Sequence, residues 1–129
     1  MSDSLPVSEQ ITFLYTRNLA ESAPFYEQVL GLELALDQGG CRIYRVLGGA
    51  AYLGVCQREI PRSPDGVIFT FVTPDVDAWY ARITAHGVQC EHAPRVHPDY
   101  GIYHFFVRDP NGYLIEVQRF LADPWDLGR

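Results

Sequence analysis

A chain of 129 residues, 47% hydrophobic and 20% charged, has enough length for a real core and the composition of a globular rather than a disordered protein. A net charge of −6 argues against a nucleic-acid surface. No apolar run is long enough to cross a bilayer, and the polar opening Met1 to Gln10 lacks the apolar core of a signal peptide, so no membrane partner is expected.

Met1 to Glu9 reads as a loose leader. Gln10 to Thr16 alternates β-branched and aromatic residues and predicts a strand. Asn18-Leu19-Ala20-Glu21 has the form of a capping box. A helix capped at Asn18 puts Pro24 in its second turn, where the ring is unfavourable, so the regular helix is expected to start near Glu21 or Ser22. Phe25, Tyr26, Val29 and Leu30 form its apolar stripe, and Gly31 stops it. Strands follow at about 33–37, 41–46 and 51–57, with Gly39-Gly40 and Gly48-Gly49 at the turns.

The stretch from Arg58 to Gly66 reads as a linker, and then the order restarts. Val67 to Thr73 is a strand. Asp75 or Asp77 caps a helix carrying Val76, Trp79, Tyr80 and Ile83, and Gly87 ends it. Strands near 88–91, 102–107 and 113–120 complete the second half. The pattern is α+β: two βαβββ modules, about 10–57 and 67–120, with a tail from 121 to 129. Trp125 in that tail is an anchor for this chain or for a partner. The three cysteines, Cys41, Cys56 and Cys90, show neither framework nor metal-type spacing, so a reduced, cytoplasmic protein is expected.

The last hairpin carries the most chemistry. Asp109-Pro110-Asn111-Gly112 is a type I turn closed by a glycine in the left-handed region, which makes a bulged three-residue loop. Asp109 then pairs with Tyr113, Phe106 faces Glu116, and His104 faces Gln118. Alternation puts His104, Phe106, Leu114, Glu116 and Gln118 on one face and sends Ile115 and Val117 into the core. Glu116 is either a carboxylate on a solvated face or a buried one that needs a partner.

DPNGYLIEV, Tyr113 to Val117 included, resembles the closing motif of the vicinal-oxygen-chelate superfamily of glyoxalase I, bleomycin-resistance proteins and extradiol dioxygenases. Arg17-Asn18-Leu19, Phe25-Tyr26 and Val29-Leu30-Gly31-Leu32 resemble the family's first strand-to-helix segment. The likeness runs from about Gln10 to Phe120. It implies that residues 1–129 form a single domain whose paired modules curve as an incomplete, barrel-like sheet around a cavity, with the helices outside. It also implies a homodimer and a small-molecule ligand.

In metal-dependent members the residue matching Glu116 is a metal ligand. By the same resemblance the other three ligand positions fall on Ile11, Gly54 and Ile68, none of which carries a ligating side chain. A shift along the strands offers Tyr15 or Cys56, and Gln10, next to Ile11, would point to the opposite face after a one-residue slip. No cofactor is therefore expected; a divalent metal on a rearranged site built on Glu116 is the disfavoured alternative.

What remains on the cavity face is apolar and aromatic with a few polar groups, the usual make-up of a small-molecule site. The ligand-binding candidates are Phe13, Tyr15, Tyr52, Cys56, Ile68, Thr70 and Phe106. His104 and Glu116 are diagonal neighbours and form either a general acid–base pair or a structural hydrogen bond. Arg95, His97 and Tyr100 belong to a Pro-containing segment read as a rim over the cavity or as a plain connector. Two functions follow. One is a metal-free protein that binds or sequesters a small, partly aromatic compound. The other is an enzyme of lyase, isomerase or dioxygenase type using His104 and Glu116 or a rearranged metal.

Overall fold

Strand-forming and helix-forming segments alternate in the same order twice along the chain. A computed structural model describes residues 5–59 and 63–125, and the chain divides into two compact units, Met1–Arg62 and Ser63–Arg129. Part of the expected leader (1–4), part of the linker (60–62) and the end of the tail (126–129) lie outside the described residues.

The first unit contains β1 (Gln10–Thr16), α1 (Leu19–Pro24), β2 (Glu33–Asp37), β3 (Cys41–Leu47) and β4 (Ala51–Gln57). Its four-stranded sheet has the order β1-β4-β3-β2, with β1 parallel to β4 and the other pairs antiparallel. The second unit contains β5 (Ile68–Val72), α2 (Val76–Ala85), β6 (Arg95–His97), β7 (Ile102–Arg108) and β8 (Leu114–Phe120). It repeats the arrangement as β5-β8-β7-β6, with β5 parallel to β8. Both sheets are open. The βαβββ pattern is thus present in each unit.

In each unit one sheet face carries the core. Leu14, Leu53, Val55 and Tyr44 are buried in the first, where Tyr26 stacks on Tyr44 with ring centroids 5.6 Å apart. Phe105, Val107, Ile115 and Val117 are fully buried in the second, where Tyr80 of α2 meets Phe105 edge-on at 5.3 Å. The opposite faces are less covered: Ile11 and Phe13 on the first sheet are 41% and 49% exposed, and Ile68 and Val72 on the second 53% and 60%.

Three sequence expectations are corrected. The first helix starts at Leu19, not near Glu21: the Asn18 side chain caps it by accepting from the Glu21 amide at 3.3 Å. Pro24 closes α1, and Phe25–Val29 then form a π-helical turn in which the Leu30 amide reaches the Phe25 carbonyl at 2.9 Å. The wider turn follows directly on the residue that lacks an amide donor and crowds the preceding turn. Residues 88–91 form no strand. Instead Arg95–His97 pairs with Ile102–His104 and occupies the edge of β7, and residues 88–91 reach β7 through Glu91, whose amide donates to the Phe106 carbonyl at 2.8 Å and whose carboxylate holds Arg108. Finally, Cys41 and Cys56 are not free thiols. They are direct partners across β3 and β4, Cα atoms 4.0 Å apart, and form a disulfide; Cys90 alone is free. Fifteen residues of sequence separate them, and only the strand register brings them opposite.

Candidate functional site

The β7–β8 hairpin fixes the site. The Gly112 amide donates to the Asp109 carbonyl and the Asp109 amide to the Tyr113 carbonyl, both at 2.9 Å. Gly112 has φ +91°, which only glycine adopts without strain. The Asp109 carboxylate accepts from the amides of Asn111 and Tyr113 inside the turn, which accounts for its burial. Phe106 therefore pairs with Glu116 and His104 with Gln118, as alternation predicts.

His104 and Glu116 come together. Nδ1 of His104 lies 2.8 Å from Oε2 of Glu116, with side-chain exposures of only 4% and 12%. The other carboxylate oxygen accepts from the Thr70 hydroxyl at 3.1 Å, because Thr70 is the direct partner of Glu116 across β5 and β8. Thr70 was expected on this face as a ligand contact; its bond to Glu116 was not foreseen. Glu116 is thus a buried carboxylate with a donor on each oxygen, the arrangement a buried acid requires.

His104 and Glu116, though not Thr70, line a pocket of about 460 Å³ in the second unit. β5 contributes Ile68, and β7 contributes Ile102, His104 and Phe106. Glu116, Gln118 and Phe120 come from β8, and His97 and Tyr100 from β6 and the turn after it. The segment read as a rim or connector therefore supplies part of the wall. The His97 ring lies 4.8 Å from that of Tyr100 and 5.7 Å from that of His104, and His92 meets His104 edge-on at 5.3 Å. His92 was not singled out as a site residue, and no local pattern distinguishes it.

The open face of the first unit holds the remaining candidates. Phe13 lies across Gly54: a Cβ on that glycine would clash with the Phe13 ring, so the missing side chain makes room for it. The Arg58 guanidinium lies over Tyr15 at 4.9 Å and that of Arg45 over Tyr52 at 5.5 Å. Cys56 is tied to Cys41 and offers no thiolate as a ligand or nucleophile.

The chain's own residues do not fit the metal that the fold family uses. Ile11 and Gly54 in the first unit and Ile68 in the second, the positions that the resemblance assigns to the other ligands, carry no side-chain donor atom. Among the described residues no three His, Cys, Asp or Glu side chains are grouped to hold an ion.

The sequence profile of the Glyoxalase/Bleomycin resistance protein/Dioxygenase superfamily matches residues 9–117. The chain belongs to this superfamily. Solved structures agree with the fold. A lactoylglutathione lyase from Agrobacterium tumefaciens is 28% identical with a TM-score of 0.71, covering 89% of this chain and 95% of that one. A glyoxalase/bleomycin resistance protein/dioxygenase from Nocardioides is 22% identical with a TM-score of 0.72, covering 98% and 93%. TioX from Micromonospora sp. ML1 is 21% identical with a TM-score of 0.73, covering 89% and 100%. No curated protein sequence matches the chain. Within the superfamily, this chain keeps the glutamate of the closing motif and has Ile11, Gly54 and Ile68 at the other three positions its resemblance assigns to metal.

Proposed function

We propose that this superfamily member binds or sequesters a small, partly aromatic molecule without a metal, as a homodimer. The observation that carries the reading is Glu116, satisfied by His104 and Thr70 in the wall of an apolar, aromatic pocket of about 460 Å³. That volume falls within the roughly 300–1,000 Å³ of ordinary ligand sites. Apolar side chains stand exposed on the open face of each sheet, and a second copy is a natural cover for them. The reading sets the protein in the cytoplasm.

The test is chelator-free purification followed by metal analysis and light scattering. The expected result is a dimer with substoichiometric metal. Stoichiometric Zn, Ni, Mn or Fe overturns the metal-free reading, and a mass near 14.6 kDa overturns the dimer.

The His104–Glu116 contact also favours a second reading, an enzyme of the same superfamily in which the pair moves a proton on the ligand. A relative named as a lactoylglutathione lyase gives this reading a first substrate to try. Turnover that disappears in His104→Gln while ligand affinity persists would favour catalysis over sequestration.

A further inference from the structure

The charge in the pocket wall is one-sided. Among the described residues of the wall Glu116 is the only carboxyl and no arginine is present; His97 and His104 add imidazoles and Tyr100 a phenol. The chain contains no lysine, so every strong cation is an arginine. In the second unit, Arg119 lies over the Tyr103 ring at 5.5 Å, and neither residue is in the wall. Arg108 is held by Glu91 and by the Gly112 carbonyl. Arg95 pairs with His104 in register but is exposed and outside the wall.

Glu116 is satisfied by donors that need carry no charge, the Thr70 hydroxyl and the His104 Nδ1–H. Each oxygen accepts one such bond and keeps a further lone pair. Around it stand aromatic rings, Phe106 and Phe120 on the strands and Tyr100 at the mouth, 74% exposed. Ring faces attract flat cations, and an acceptor-only carboxylate attracts an N–H donor. The net charge of −6 acts in the same sense at longer range.

We propose that the pocket selects planar aromatic cations, with the ligand's protonated nitrogen or N–H on Glu116 and its rings against Tyr100, Phe106 and Phe120. This rests on the small-molecule reading above and narrows it to a ligand class. Anionic ligands are disfavoured, because they would meet the carboxylate without a guanidinium or ammonium in the wall.

The test uses one ring system with three charges: proflavine as the cation, acridine as the neutral form and acridine-9-carboxylate as the anion. Each is titrated by fluorescence against the full-length protein at neutral pH. The expected order is proflavine first, by about tenfold or more over acridine, with the carboxylate weakest. In Glu116→Gln, a near-isosteric change, the ratio of proflavine to acridine affinity should collapse towards one. Amide shifts at His104 and Glu116 on adding proflavine to the unaltered protein supply a second readout that does not depend on the variant folding.

Acridine or the carboxylate binding as tightly as proflavine overturns the cation preference and leaves the small-molecule reading standing. A preference that survives in a folded Glu116→Gln, or shifts confined to residues away from the pocket, overturns it as well. No binding by any of the three removes the aromatic-ligand reading and this inference together.

Discussion

His104 Nδ1 lies 2.8 Å from Glu116 Oε2, although the two are diagonal rather than direct partners across β7 and β8. The direct partner of Glu116 on β7 is Phe106, whose ring cannot donate a conventional hydrogen bond, so the imidazole reaches across. An ionised carboxylate only accepts, so Nδ1 must carry the proton of this bond. Nitrogen NMR of labelled imidazole should find Nδ1–H in His104 of the native protein. A neutral His104 in the Nε2–H form would break the assignment. Removing the carboxylate in Glu116→Leu leaves a buried donor and should cost about 1–3 kcal/mol. Adding His104→Phe should restore part of that loss, a non-additivity that urea unfolding of the four proteins measures.

The hairpin turn has its own signature. Gly112 sits at φ +91°, and a Cβ there would meet Pro64 Cγ at an ordinary 3.4 Å. The cost of Gly112→Ala therefore comes from backbone conformation, not from a clash. We expect a loss of about 1 kcal/mol or more in chemical denaturation. An unchanged midpoint would show that the turn does not need its left-handed residue.

The Cys41–Cys56 bridge spans 15 residues of sequence. On loop entropy alone, a closure of that length stabilises by about 3 kcal/mol. Reduction, or Cys41→Ser with Cys56→Ser, should lower the unfolding free energy by an amount of that order. Alkylation under native, non-reducing conditions should add no more than one label, at Cys90. Three labels would show that the pair stands reduced.

Tyr44 gives a pH dependence. Burial first, and then its hydrogen bond to the Glu27 carboxylate, push its phenol well above the ordinary tyrosine range. The folded state therefore holds this proton more tightly than the unfolded state. The associated stability is complete below the unfolded value of about 10 and is lost as pH rises from there towards the folded value. Unfolding free energy should fall between pH ~9 and ~11 more steeply in the native chain than in Tyr44→Phe. Parallel slopes would remove Tyr44 as the cause.

The sequence by itself determined what acts over a few residues. The DPNG turn and strict alternation set the β7–β8 register, and the register put His104, Phe106 and Glu116 on one face with Ile115 and Val117 behind. The two βαβββ patterns and the motif around Glu116 were legible for the same reason: turn chemistry and side-chain period are local properties. What the tertiary structure decided was pairing between distant segments. Thr70 reaches Glu116 because β5 lies parallel to β8, and Cys41 meets Cys56 because β3 and β4 align them. The edge beside β7 went to Arg95–His97, which brought His97 and Tyr100 into the pocket wall and left residues 88–91 without a strand. Competition between segments for one strand edge depends on the whole chain's packing, and no window of neighbouring residues contains it. The helix start divided between the two. The capping box at Asn18 was readable and governed the outcome, while the π-helical turn after Pro24 let the helix begin there despite the proline.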